Sequence, residues 1–367
     1  MTSGAFWTDA AVPLLILLTA WLTPSLSGPT LPFGVRVPPA HADDPVIVRQ
    51  RGSYRLLLGT AGSALVLLGL ALAALAPDSP AGALPTLVAV AGSAAAYLRA
   101  RRAIRAVKQR EDWYRGLRQS VTADTALRTS PEPFPWLWSL PALLVLAATA
   151  AIGVVRYPSM PQRLPSHFNG SGAVDHFVAK SVGTAFVPVF VQAGSTLVIT
   201  LVAWLAFRSR ADLDPSRPAA SAYRHRRFIV RMTVSVLLLG TCANLTMLLG
   251  AWGIWHDDRA MGVLPLLLPI LAGTVLVVLV AVRTGQNGSR VPLPAALAAA
   301  EPPTASVHRD DDRHWRGGLV YVNRQDPALF VPKRFGVGWT VNFGNPKAVL
   351  LMAAVLVLSL AVGILSS

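Results

Sequence analysis

Leu56-Leu-Leu-Gly-Thr-Ala-Gly-Ser-Ala-Leu-Val-Leu-Leu-Gly-Leu-Ala-Leu-Ala-Ala-Leu-Ala76 runs for 21 residues without an ionisable side chain. It follows Arg49, Arg51 and Arg55 and stops at Pro77-Asp78-Ser79-Pro80. About 20 apolar residues in a helix cross a bilayer core, so the stretch predicts a membrane span with a basic side and a neutral side. Runs of the same kind recur at 8–27, 82–98, 136–155, 182–207, 229–254, 262–282 and 347–365. The reading is an all-α polytopic membrane protein of about eight transmembrane helices. The first span lacks a basic leader region and a small-residue cleavage site, so it is read as retained.

Composition agrees. The 367 residues are 53% hydrophobic and 14% charged, against about 25% charged in soluble domains. The mean hydropathy is +0.49. Net charge is +15, with 33 Lys+Arg against 18 Asp+Glu. In a soluble chain that balance suggests nucleic acid; here its placement excludes that reading. The connections 28–55, 99–135, 208–228 and 283–347 hold 28 of the basic residues, and the opposite connections hold four. The basic side is therefore cytoplasmic and both termini lie outside. Anionic lipid headgroups are the expected partners of the basic residues, with Arg99, Arg102, Arg105 and Arg110 foremost. The excess of arginine over lysine and the abundance of Ala, Gly and Pro resemble a GC-rich bacterial genome. Lone Cys242 excludes an intrachain disulfide.

No ionisable residue lies mid-span: Asp9, Arg231 and His256 sit at ends. Ion-coupled transport, which uses such groups at depth, is disfavoured. The interior polar residues include Gln192, Asn244 and Thr241, and Gln192 and Asn244 are expected to join helices by hydrogen bonds. No zinc, nucleophile-elbow or phosphate-loop pattern is present, and the chain is read as a non-enzyme without cofactor or metal.

Two connections carry distinctive strings. The first, 157–181, contains Pro158, Pro161 and Pro165, then His167-Phe168-Asn169-Gly-Ser-Gly172, Asp175-His176 and Lys180. Prolines at this spacing predict extended chain, and Asn-Gly-Ser-Gly predicts a turn. The expectation is an ordered extracellular lid, with Asp175 capping the next helix or pairing with Lys180. Outward recognition falls to His167, Phe168, Asn169, Asp175 and Lys180. His167, Asp175 and His176 have the chemistry of a metal set, but a loop-holding role is favoured.

The second string is Asp310-Asp-Asp312-Arg313-His314-Trp315, followed by Asp326-Pro-Ala-Leu-Phe330-Val-Pro-Lys333-Arg334-Phe335-Gly-Val-Gly-Trp339-Thr-Val-Asn342-Phe343. Alternation at Leu319/Tyr321, Leu329/Val331 and Trp339/Val341/Phe343 predicts a small three-stranded cytoplasmic β-meander. Trp315, Lys333, Arg334 and Trp339 are the candidates for inward interaction, and Asp310–Asp312 read as a solvated turn. Phe33-Gly34-Val35 echoes Phe335-Gly336-Val337, which suggests that 32–37 adds a strand to the meander. Residues 284–309, rich in Gly, Pro, Ala and Ser, predict a flexible linker.

The Tyr157-Pro158…Pro165-Ser-His167-Phe168-Asn169…Asp175…Lys180 string resembles a bacterial membrane domain of unknown function. That domain also occurs at the N-terminal end of SdpI-type proteins. The resemblance implies a multi-pass immunity protein against a secreted killing factor that also signals by holding a transcriptional repressor at the membrane. It does not extend to the SdpI immunity domain in the later spans. The Phe330-to-Phe343 run resembles a second uncharacterised domain. The regions expected are 1–135 with three helices, 136–207 with two helices and the lid, 208–283 with two more, the linker 284–309, the meander 310–346 and the last helix 347–367. The function expected is sensing of, or protection against, an extracellular peptide or envelope stress, with an extracellular peptide or a cytoplasmic protein as partner. The alternative is a transporter or permease for a hydrophobic or peptide substrate.

Overall fold

The computed structural model describes residues 12–76, 79–122, 126–168, 174–256 and 263–366. The principal helices are α1 (Val12–Leu26), α2 (Pro45–Leu75), α3 (Leu84–Arg110), α4 (Leu140–Arg156), α5 (Val187–Phe207), α6 (Pro218–His256), α7 (Val263–Thr284) and α8 (Pro346–Ser366). The chain is mostly helical, as its apolar runs require. Among the described residues, six helical segments are long and apolar enough to cross a membrane: those built on α2 to α7. The described part of α1 has 15 residues, and α8 is apolar, but neither counts among the six. The described helices therefore supply six candidate spans of the eight expected.

The strands are short: β1 (Gln119–Ser120), β2 (Arg163–Phe168), β3 (Val174–Ala179), β4 (Val307–His308), β5 (Trp315–Arg316), β6 (Val320–Tyr321), β7 (Phe330–Pro332) and β8 (Trp339–Val341). They form four two-stranded sheets: β1–β4 parallel, and β2–β3, β5–β6 and β7–β8 antiparallel.

The chain divides into two compact units. The first comprises 1–129, 210–225 and 284–345. In it α1, α2 and α3 pack together around Leu17, Tyr54, Leu58, Ala89, Ala96, Tyr97 and Ile104. Small residues permit the close approach: a Cβ at Gly62 would lie 3.2 Å from Leu17. Asp44 caps α2 by accepting a hydrogen bond from the Val46 N–H at 3.0 Å.

The expected three-stranded meander is replaced by two hairpins. β6 does not pair with β7; instead Tyr321 forms a parallel bridge to Asn342, just beyond β8. The connection between β6 and β7 turns on Asn323 and Asp326, whose side chains accept from the Gln325 and Ala328 N–H groups. Asp and Asn bind their own backbone two residues on, and a strand cannot start there. Residues 284–309, expected as a linker, carry secondary structure and anchors. The Gln286 amide donates to the Lys333 and Gly338 carbonyls and accepts from the Gly338 N–H. Glu301 accepts from the Ala219 and Ala220 N–H groups at the start of α6, where a helix offers free donors. β4 pairs with β1.

The second unit comprises 130–209, 226–283 and 346–367. Its interior is tied by polar contacts between α4, α5 and α6. The Gln192 amide donates to Thr149 Oγ1 at 3.1 Å and to the Asn244 carbonyl at 2.8 Å. The Asn244 amide donates to the Ala142 carbonyl at 3.0 Å and to Thr196 Oγ1 at 2.8 Å. Gln192 and Asn244 are fully buried. The helix-joining role expected for both is what their contacts describe.

Candidate functional site

Two places concentrate chemistry. The first is the hairpin of the second unit. Tyr157–Ser159 is a 3-10 turn, so Pro158 starts a helical turn and not extended chain. Pro165 does lie in extended chain, within β2 opposite Phe177. The pairing slips at Ser166 and Asp175, which have no partner in the register: His167 lies opposite His176, and Phe168 opposite Val174. Such bulges re-aim side chains along a strand. Backbone pairing fixes His167 and Phe168, while Asp175 sits at the slip on β3. Asn169 and the turn 170–172 lie outside the described residues. Ser166 Oγ and His176 Nδ1 are 2.7 Å apart.

Lys180 closes the base of the hairpin. Its ammonium donates to the Met160 carbonyl at 3.0 Å and the Tyr157 carbonyl at 3.3 Å, and lies 5.3 Å from the Tyr157 ring centroid. The following helix is capped by Ser181, whose hydroxyl accepts from the Thr184 N–H while Thr184 Oγ1 accepts from the Ser181 N–H. The hairpin rests on Met160, Leu164, Ala185, Ala251 and Trp255, all buried, and Trp255 Nε1 donates to the Ala185 carbonyl at 2.8 Å.

The second place is a buried knot of charge in the first unit, built from all four basic connections. Asp312 Oδ1 accepts from the Arg36 backbone N–H at 3.1 Å and from Arg334 Nη1, and Oδ2 accepts from Lys108 Nζ at 2.8 Å. Asp311 Oδ1 accepts from Arg334 Nη2 and, at 3.0 Å, from Arg36 Nε. Arg36 Nη2 reaches Asp212 at 2.8 Å, and Lys108 also pairs with Asp310 at 2.8 Å. Arg334 is 1% exposed, and Arg36, Lys108 and Asp312 nearly as buried. Three interior cations thus face four carboxylates, with His308 Nδ1 3.7 Å from Asp212.

The charges hold each other ionised. Burial alone would raise the Asp212 carboxyl, but Arg36, with His308 behind it, holds it far below the usual carboxylate range. Burial opposes ionisation of Asp312 too, and Arg334 and Lys108 overcome it. Burial draws the Arg36 guanidinium down, yet Asp212 and Asp311 hold it above its ordinary value. Arg334 is lowered, first by burial and then by neighbouring Arg36, with Asp311 and Asp312 opposing; an arginine starts high enough to stay charged. Burial and Arg36 together lower His308, against the pull of Asp212 and Asp214.

The structure brings Trp315 and Arg334 together, the guanidinium 4.9 Å from the indole centroid. Trp315 also packs on Tyr321, at 5.0 Å between centroids. Lys333 is exposed, and its N–H donates to the Gly338 carbonyl, closing β7 on β8. Trp339 pairs across the sheet with Pro332. Asp310–Asp312, read as a solvated turn, are the acidic half of the knot: with so many guanidiniums on one side, three adjacent carboxylates find partners before water does. Arg36, Lys108, Asp212 and His308 were not singled out by sequence, since their partners lie up to 276 residues away.

Phe33 and Phe335 do meet, stacked at 5.9 Å, with Tyr97 4.4 Å from Phe335. Residues 32–34 form a 3-10 turn, however, and add no strand. The reason is local: Gly34 has φ +69° and would bring a Cβ to 2.9 Å from the Gly318 carbonyl oxygen and the Tyr97 hydroxyl. The Arg36 N–H is committed to Asp312.

The hairpin lies inside one family match, and of the knot Arg334 alone lies inside another. Residues 143–191, covering most of α4, the hairpin and the start of α5, match a domain of unknown function (DUF1648). Residues 324–349 match a family of unknown function (DUF5808). No curated protein and no solved structure matches the chain. The structure gives the second match a physical content. Asn342 donates to the Asn323, Asp326 and Ala328 carbonyls and accepts from the Asn323 and Gly344 N–H groups. Asp326 accepts from the Tyr321 hydroxyl at 3.0 Å and lies 3.3 Å from Arg210. Arg334 enters the knot from the same segment.

Proposed function

We propose that this is a non-enzymatic integral membrane protein of the cytoplasmic membrane, with about eight spans and both termini outside. Its hairpin faces outward and senses, or shields against, an extracellular peptide or envelope stress, as in SdpI-type immunity and signalling proteins. The basic connections that build the knot face the cytoplasm and relay or scaffold. The observation that carries this reading over a permease is the state of Gln192 and Asn244. A permeation path needs polar groups free to meet a substrate at depth; the amide N–H groups of these two side chains are committed to joining α4, α5 and α6, while the Gln192 Oε1 acceptor keeps no partner among the described residues. The meeting of all four basic connections in one charged knot supports placing them on one side of the membrane.

The test uses a strain lacking the protein, challenged with cationic pore-forming peptides. Complementation with wild type should restore survival. A well-inserted variant with 163–179 replaced by a Gly/Ser loop should not. Equal survival with both, together with flux of a hydrophobic peptide into proteoliposomes that Gln192→Leu abolishes, would put the transporter first. Single cysteines at Ser166 and Ser306 in a Cys242→Ala background check sidedness: an impermeant maleimide should label the first in intact cells and the second only after lysis.

A further inference from the structure

The basic run Arg99 to Arg110 is sorted by the fold into two classes. Arg101 and Lys108 turn inward and are buried; Arg101 Nη1 donates to the Phe33 carbonyl at 3.3 Å, and Lys108 enters the knot. Arg110 is held by Glu111 at 2.9 Å. Arg99, Arg102 and Arg105 are exposed, and among the described residues none of them meets a carboxylate or another partner. They follow each other at three-residue steps, about 4.5 Å of helix rise apiece, so the guanidiniums line one stripe.

That stripe continues a lipid-like surface. Leu84, Leu87 and Val88 are exposed on α3. At 100° per residue they fall on the same side of the helix as Arg99 and Arg102. Along one face the chemistry passes from alkyl to guanidinium about 22 Å from Leu84, as a leaflet passes from acyl chain to phosphate. Arginine binds phosphate through a planar fork of donors, and a helix face that served only solubility would not need its cations segregated from every carboxylate.

We infer that Arg99, Arg102 and Arg105 form a binding stripe for the phosphate of anionic lipid headgroups. The inference needs the membrane placement but not the sensing role. The full chain in mild detergent is titrated with phosphatidylglycerol, phosphatidylcholine and inorganic phosphate, and bound lipid is read by native mass spectrometry. R99Q/R102Q/R105Q is compared with R309Q/R316Q/R324Q, which removes three exposed arginines elsewhere in the same unit. A cation beside an anionic leaflet is worth roughly a five-fold factor. Phosphatidylglycerol affinity should therefore fall at least about ten-fold in the first variant, weaken with salt and stay near wild type in the second. Equal losses in both variants would reduce the effect to net charge and overturn the stripe. So would phosphatidylcholine binding as well as phosphatidylglycerol, or inorganic phosphate occupying the site while lipid does not. All six substitutions are at exposed side chains, so an early-melting variant would itself contradict the inward–outward sorting.

Discussion

Replacing Arg334 by leucine is the sharpest test of the charged knot. The guanidinium is bonded to Asp311 and Asp312 and stacks on Trp315. Its loss leaves two interior cations against four carboxylates. Asp312 keeps Lys108 and the Arg36 N–H, and Asp311 keeps Arg36 Nε, so neither becomes wholly unpaired. Removing one member of a buried pair costs about 3–5 kcal/mol, and the surviving partners place this case at the lower end, about 3 kcal/mol. Near 3 °C per kcal/mol for a unit of this size, the melting transition of the first unit should fall by roughly 10 °C. The assay is the thermal melt in detergent, with limited proteolysis of 284–345 as a second readout that does not assume one transition. Arg334→Lys should recover the charge but not the paired fork, and so fall between. The double variant Arg334→Leu/Asp311→Asn should be more stable than Arg334→Leu alone, because the excess of interior carboxylates over cations falls from two to one. An Arg334→Leu protein that melts and resists protease like wild type would refute the view that the knot holds the unit together.

The knot also predicts a pH response. Asp212 and Asp312 have folded-state values below their unfolded ones, so they add stability at neutral pH that is lost as pH falls from about 4. His308 is lowered from 6.5, so the unfolded chain binds its proton first and stability declines as pH falls below 6.5. Melting temperatures between pH 5 and 8 should drop toward acid, and His308→Gln should flatten that limb. Asn244→Ala should destabilise the second unit by about 1 kcal/mol, the usual size of such bonds between helices in lipid, read as a lower melting point in detergent. Gly318→Ala would drive a Cβ into Arg101 Nη1 at φ +74° and should cost about 1–3 kcal/mol, visible as faster cleavage of the β5–β6 region. Asn342→Leu, which strands several backbone groups at once, should cost at least as much by the same measure.

The helices were legible because a bilayer-length apolar run leaves little choice of structure: α2 to α7 overlap the runs that announced them, although α2, α3 and α6 extend about eleven or twelve residues beyond them at their basic ends. Gln192 and Asn244 were legible for a related reason: an amide at depth must find a partner, and another helix is what is there. The lid was legible as extended chain at Pro165, but its pairing of β2 with β3 was not read, and Pro158 went into a 3-10 turn where proline's φ fits equally well. The meander failed because alternation marks which residues face a core, not which strands are neighbours; Asn342 decides that through bonds to three carbonyls. The knot was hidden for want of any local signature. Arg36 and Lys108 look like every other basic residue of a basic connection, and only the fold shows that Asp310–Asp312 were waiting for them.

The separation of those partners along the chain has a temporal side. Lys108 and Asp312 are 204 residues apart, and Arg36 and Asp312 276. At about 5–20 residues per second, the ribosome makes the cations roughly 10 s to a minute before the anions that neutralise them. During that interval Arg36 and Lys108 lack the carboxylates of 310–312 beside a nascent helix, which is the condition under which basic residues set a span's direction. Once 310–334 emerges, the same side chains are drawn inside and their surface charge disappears. On the orientation proposed above, one set of residues would serve first as an insertion signal and later as masonry, and a chain cut short before Asp310 would keep that orientation while lacking the keystone of its first unit.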